Sequence, residues 1–427
     1  MGLLKKSGNM SFIDIAFHFY NKTNSYYMEK KFRNRNIQRR EFIRVGSMAA
    51  LSVPFITGPE NLVIKNLSMR KPQSFNPEWR NKQDGMVYRR LGRTGLMVSE
   101  LVFGSERITP ENIRPVEAAI EKGVNYIDTA PQYGNGASET ALGKVLSSSS
   151  KREKVFLATK ISAFPSLRNN LYRGIFDGLP SAKKEAIQKR ALELRNESGI
   201  EKPGYFLTYW PGHPRQLDGV FLSDAMMEEY GERVEGSPEF KKLIINSVEE
   251  SLKRVGTDYF DVVHCPHAAT SINEVNNPFI SESFDELKKQ GKLRFLGLST
   301  HHNMAAILNT AIDTGHFDVV MLAYNVINYG FVDHVIKKAR ENNVGTIAMK
   351  AAMAVFTPYS PFEVPVPEWR IQKLNQIIPE EMKLPIKAYL WALQNPDLSA
   401  VIAGMTTEEM LLENLSVVGK RIELKPA

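Results

Sequence analysis

From Met86 onward, short runs of β-branched and other apolar residues alternate with longer stretches whose apolar positions recur at helical spacing. The runs cover 101–104, 125–130, 155–160, 259–265, 293–300, 319–325, 345–350 and 400–404. Helical patterns follow them sooner or later, among them 113–122, 138–146, 239–254 and 407–417. Eight strand–helix units predict an α/β fold, a (β/α)8 TIM barrel around a parallel sheet. An open Rossmann sheet is disfavoured, because no G-x-G-x-x-G follows the first run.

Two segments interrupt the rhythm. Residues 86–99 (MVYRRLGRTGLMVS) read as a hairpin turning near Arg93-Thr94-Gly95, placed to plug the bottom of the barrel. Residues 161–238 fill the third connection with far more chain than a βα loop needs. This insertion holds a helix-like part, 181–197, and an aromatic, Pro-rich part with Tyr205, Phe206, Tyr209, Trp210, His213 and Pro214. It is expected to be a lid or specificity element; the competing reading is a subdomain packed on its own aromatics. Tyr205, Tyr209 and Trp210 could stack on a sugar.

Charge changes the picture at the start of the chain. The 427 residues carry a net +8, yet residues 1–44 hold ten Lys or Arg against three acids, a balance of +7. The rest is nearly neutral, which removes nucleic acid as an expected partner. The basic stretch ends at Arg39-Arg40 and an uncharged run, 45–56, follows; twelve residues are too few for a stable membrane span. Gln38-Arg39-Arg40-Glu41-Phe42-Ile43 resembles a twin-arginine export signal. The expected organisation is an export leader over 1–57, with Met28 a second candidate for the start, a linker over 58–85, and a barrel over 86–427. The implied partner is the twin-arginine export machinery and the implied location the bacterial periplasm. A single cysteine, Cys265, excludes an intramolecular disulfide and Cys-rich metal sites.

In such barrels chemistry sits at the C-terminal strand ends. The second run ends at Asp128 and leads to Tyr133, the third ends at Lys160, and the fourth ends at His264. A free phenol titrates near pH ~10, so its proton moves at neutral pH only if a cation stabilises the phenolate. Lys160 is placed to do that, Asp128 to hold Lys160, and His264 to orient a substrate oxygen. Such a set protonates an oxyanion as hydride reaches a carbonyl carbon.

These residues, within Asn125-x-Ile-Asp128-Thr-Ala-x-x-Tyr133-Gly, Ala158-Thr-Lys160 and Ser251-Leu-Lys-Arg-x-Gly-Thr-Asp258-Tyr-x-Asp261, resemble the aldo/keto reductases over about 88–419. The resemblance implies catalytic Asp128, Tyr133, Lys160 and His264, with His267 in reserve because the chain departs from the family spacing at Asp261-Val-Val-His264. It further implies a nicotinamide cofactor on Ser299, Thr300, Met321, Gly404, Met405, Thr406, Glu413 and Asn414. Thr300 stands where the family commonly has asparagine. Met321 stands where it has a glutamine for the carboxamide, and a thioether cannot make that hydrogen bond. Residues 403–410 lack the basic pair that grips the 2′-phosphate of NADP, so NAD is at least as well suited as NADP.

The expected activity is hydride transfer between NAD(P)H and a small-molecule carbonyl or alcohol, a sugar among the candidates. An exported enzyme of this kind is expected to load its cofactor before export and recycle it in place. The rival is a non-catalytic nucleotide-binding barrel that serves as a binding or assembly subunit, which Thr300 and Met321 favour. A metal-dependent hydrolase or isomerase built on His264, His267, His301 and His302 ranks third, since no spacing is metal-specific.

Overall fold

A computed structural model describes residues 76–426, and the expected leader lies outside the described residues. Its strands are β1 (Glu78–Trp79), β2 (Tyr88–Arg90), β3 (Leu96–Ser99), β4 (Leu101–Gly104), β5 (Tyr126–Asp128), β6 (Phe156–Lys160), β7 (Phe260–His264), β8 (Leu293–Thr300), β9 (Val319–Ala323), β10 (Gly345–Met349) and β11 (Ala400–Gly404). Strands β4 to β11 close in chain order into a parallel barrel, β11 pairing back onto β4.

The strands read as nearly unbroken apolar runs because both of their faces are covered. Val102, Tyr126, Phe156, Val262, Val319, Met321 and Ile347 point inward and fill the barrel. Leu101, Ile127, Leu157, Val263, Leu296 and Val320 belong to the larger core shared with the helices. That two-sided burial is the main apolar driving force of the fold.

The hairpin of β2 and β3 closes the bottom of the barrel as expected. Leu91, Leu96 and Val98 join the interior cluster, and Arg93 N–H donates to Asn343 O at 2.6 Å. Gly92, at φ 52°, approaches so closely that a Cβ there would lie 2.2 Å from Gly345 N, so only glycine fits both the conformation and the contact.

Regular structure is present ahead of residue 86. Within the segment expected to be linker, β1 pairs in parallel with β3. Arg80 donates to Val155 O at 2.7 Å and, with Arg152 (3.1 Å) and Arg294 (2.7 Å), surrounds the buried carboxylate of Asp261. A carboxylate this deep is tolerable because every charge is paired and hydrogen-bonded. Asp261 is thus a clamp at the base of the barrel, and its place in the recognised motif is structural.

The insertion contains three long helices, Phe164–Asp177, Ser181–Ser198 and Gln216–Glu235, the first two packed on the third. Fully buried Arg168 ties them together, donating to Glu235 Oε1 at 2.7 Å and Asp224 Oδ1 at 3.1 Å. The aromatic part lies over the ends of β8 and β9. Tyr205 OH accepts from Ala305 N–H at 2.8 Å and Tyr209 OH accepts from Asn325 Nδ2 at 2.9 Å, both tyrosines being buried. Neither ring has a free face, which corrects the expectation that they could stack on a sugar. Among the described residues no helix is long and apolar enough to cross a membrane.

Candidate active site

A cavity of about 720 Å³ opens at the C-terminal end of the barrel. Strand alternation sends Asp128 and Lys160 inward and upward, in the next layer above Tyr126 and Ala158. Tyr133 follows β5 after a short loop, and its position is held by three successive residues of positive φ, Gly134, Asn135 and Gly136. Two glycines and an asparagine suit that left-handed turn, where side chains with bulk beyond Asn would be strained.

Lys160 Nζ bonds to Asp128 Oδ2, to Thr129 O at 2.8 Å and to Tyr133 OH at 3.1 Å. Asp128 and Lys160 are buried, while Tyr133 is partly exposed to the cavity that all three line. Burial pushes Asp128 up and Lys160 down, and their mutual attraction opposes both shifts. Burial raises the Tyr133 phenol well above its ordinary value, with the charge of Asp128 adding to it. The phenol therefore holds its proton at neutral pH, next to an ammonium group placed to stabilise the phenolate once the proton has left.

The fourth member is where structure and spacing part. His264 sits opposite Lys160 in the β6–β7 register and is fully buried, but it is not part of the cavity wall. Its Nδ1 meets Leu298 O at 3.1 Å, and its ring lies over Gly297, where a Cβ would come within 2.5 Å of Nδ1. His267, three residues on, does line the cavity, with its ring edge-on to Tyr133 at 6.5 Å between centroids. Its Nδ1 shares a hydrogen bond with Ser162 Oγ at 2.8 Å. Burial holds both imidazoles neutral: His264 falls to about 3, and His267 lies well below its ordinary value, the charge of Lys160 adding to the effect in each.

Of the residues expected to hold a cofactor, Met321, Gly404, Thr406, Glu413 and Asn414 line the same cavity. Ser299, Thr300 and Met405 do not. Ser299 Oγ accepts from Ala268 N–H at 3.0 Å and Thr300 Oγ1 donates to Ala269 O at 2.8 Å, so this pair braces the segment that carries His267. Met405 is fully buried in the core. At Gly404 an added Cβ would meet no atom within 4 Å, so it would project into open space, and glycine keeps that part of the cavity clear.

Three further residues, Ser162, Lys350 and Lys383, have no role in the sequence reading, and His301 enters it only as part of a metal set. Ser162 lies just past β6 and Lys350 just past β10, and for Lys350 the strand-end criterion that found Lys160 would have sufficed. His301 lines the cavity from the end of β8. Lys383, from the long β10–β11 connection, reaches Glu413 in an ion pair, which no motif signals. No group of three or more His, Cys, Asp or Glu arranged to hold a metal is present among the described residues.

Residues 100–425 match the profile of the Aldo/keto reductase family. Similar proteins include the aldo-keto reductase YhdN of Bacillus subtilis, 26% identical over 273 residues, which are 61% of each chain. The chain thus spans about three-fifths of that relative's length. L-galactose dehydrogenase of Arabidopsis thaliana is 23% identical over 77% of this chain and 87% of its own. A 6-dehydroglucose reductase of Novosphingobium aromaticivorans is 33% identical over a third of this chain and 47% of its own. Among solved structures, aldo-keto reductase AKR11C1 of Bacillus halodurans superposes with a TM-score of 0.51 at 21% identity, over 79% of this chain and 92% of that one, and shares the fold.

Proposed function

Because the chain belongs to the aldo/keto reductase family, we propose that it is a nicotinamide-dependent oxidoreductase in which Tyr133 exchanges a proton with the substrate oxygen. The observation that carries this is the contact of Tyr133 OH with Lys160 Nζ at 3.1 Å inside the cavity, Lys160 being fixed in turn by Asp128. In the reducing direction Tyr133 gives its proton to the carbonyl oxygen, and Lys160 stabilises the phenolate that remains. Asp128 keeps the ammonium charged and immobile despite its burial. His267, rather than His264, orients the substrate oxygen: with Ser162 donating to Nδ1, the ring presents Nε2–H as a donor. Replacement of Tyr133 by Phe, which removes only the hydroxyl, should abolish turnover; turnover that persists would overturn the assignment.

The residues present fit a nicotinamide cofactor. The cavity is of the size that holds such ligands, Gly404 leaves it open, and Thr406, Glu413 and Asn414 offer polar atoms along it. When bound, the nicotinamide supplies or accepts the hydride. NAD fits better than NADP. Lys383, which the structure places against Glu413, is already neutralised by that carboxylate. Met321 offers no amide for the carboxamide.

Two of the relatives are named for sugar chemistry, which supports a polyhydroxylated substrate. Arg39-Arg40 and the uncharged run behind them support export of the folded, cofactor-loaded protein by the twin-arginine route to the periplasm. Nucleotide retained through purification from a periplasmic fraction is the corresponding test.

A further inference from the structure

We propose that the substrate is anionic, a sugar acid or comparable hydroxy-carboxylate, and that Lys350 beside His301 takes its acidic group. This rests on the oxidoreductase reading above and deepens it.

Three lysines line the cavity: Lys160, Lys350 and Lys383. Lys160 is paired with Asp128 and Lys383 with Glu413. Lys350 has neither a carboxylate within ion-pair distance nor a hydrogen-bond acceptor among the described residues; its ammonium faces only the Trp210 ring, 5.5 Å from the centroid. The charges around it are mixed. The charge of Glu106 acts on it favourably, but Lys160 and Arg107 act in the opposite sense, and Arg107 also lines the cavity without an ion pair. A partly buried lysine without a counter-ion among the described residues is stabilised when a ligand brings one.

The backbone points the same way. Lys350 has φ 61°, the left-handed region, which a residue with a side chain adopts at a cost and which clusters at functional sites. Beside it, His301 is buried and lines the cavity, and its Nδ1 has no hydrogen-bond partner among the described residues. A neutral imidazole and an ammonium together match a carboxylate flanked by a hydroxyl. Trp210 packs edge-on against His301 at 5.0 Å between ring centroids, so the three-helix insertion shapes this corner of the site. Lys350 also acts electrostatically on His213, His267 and His301, which places its charge on the histidine side of the cavity. Glu413 and Asn414, assigned above to the cofactor, lie on another segment.

The test compares D-glucuronate with D-glucose, which differ in a carboxylate at one carbon, using wild type, Lys350→Met and Lys350→Arg with saturating nucleotide. Wild type should favour glucuronate at least tenfold in kcat/KM. Lys350→Met should cut that ratio at least tenfold, Lys350→Arg should keep most of it, and the Kd for nucleotide should move less than threefold. A preference for glucose, or a ratio unchanged in Lys350→Met, overturns the proposal. So does a tenfold weaker nucleotide Kd with an unchanged ratio, which would put the lysine on the cofactor phosphates. If neither sugar is turned over, calorimetric binding of glucuronate to the enzyme–nucleotide complex decides: binding lost in Lys350→Met supports the proposal, and no binding to wild type overturns it. Glucose turnover that is lost in Tyr133→Phe but shows no preference for the acid would leave the oxidoreductase reading standing while this one falls.

Discussion

Ser162 Oγ and His267 Nδ1 lie 2.8 Å apart, joining the first residues after β6 to the segment that leaves β7. The bond fixes the ring that faces Tyr133 and selects its tautomer. Ser162→Ala should lower kcat about tenfold with KM changed less than about threefold, because an orientation needed mainly in the transition state is lost. Ser162→Thr should restore most of the rate, which steady-state kinetics on the pair will check.

His264 and His267 should separate cleanly. His267→Gln is expected to lower kcat/KM by roughly 10²-fold or more, the usual scale for an oriented acid–base partner. His264→Gln should leave the rate of the folded enzyme within about threefold while costing about 1 kcal/mol of stability, since it disturbs the buried bond to Leu298 O. Parallel kinetics and urea titrations distinguish the two; a rate loss confined to His264→Gln would return the role to that residue.

Gly297 is held to hydrogen by the His264 ring, 2.5 Å from where a Cβ would stand. Gly297→Ala should therefore destabilise the barrel by about 1–3 kcal/mol through overpacking. In the His264→Ala background the same change should cost much less, because the ring that it meets is gone. A double-mutant cycle by denaturant unfolding measures that coupling.

Acid should unfold the protein early. His213, His264 and His302 are held by burial at about 2, 3 and 3 in the folded state, against an ordinary 6.5. The unfolded chain then binds more protons below pH 6.5, so the stability these groups contribute is complete above that pH and is lost as pH falls toward their folded values. At pH 5 each costs up to about 2 kcal/mol by the 1.36 kcal/mol per unit conversion. Urea midpoints from pH 7.5 to 5 should fall steeply in wild type and less steeply in His264→Gln.

Glu413 neutralises Lys383 at the end of the cavity proposed for the cofactor. Glu413→Gln should free the ammonium and shift the NADPH/NADH affinity ratio toward NADPH by roughly 3- to 10-fold, an exposed charge effect that weakens with salt. Nucleotide titrations at two ionic strengths test both the direction and the salt dependence.

Much of the barrel was legible. β8 matches its expected run, Leu293–Thr300, to the residue, and β4 and β11 match as well. Parallel strands covered on both faces leave continuous apolar runs, and the charged residues that end them stand out. Asp128 and Lys160 stand out on that ground, and Tyr133 lies in the loop that follows Asp128. β1 was not legible, since two residues with a half-exposed Trp79 carry no periodic signal, and its place depends on pairing with β3 and on the Glu78 ion pairs with Arg80 and Arg294.

By itself the sequence determined the barrel, its bottom plug, the family and the inward direction of Asp128 and Lys160 at their strand ends, because inward or outward alternation is a local property of the backbone. Only the tertiary structure decided which histidine reaches the cavity. His264 and Lys160 share a layer by register, but a flexible four-carbon stem carries the ammonium up to Tyr133, whereas the short imidazole is held down over Gly297 by Leu298 O. The tertiary structure likewise decided that Ser299 and Thr300 brace the His267 segment, and that Lys350 stands without a counter-ion among the described residues where Lys160 and Lys383 have one. These are relations between side chains of different strands, set by packing depth and charge pairing across the barrel, and neither quantity is written in the order of residues along one strand.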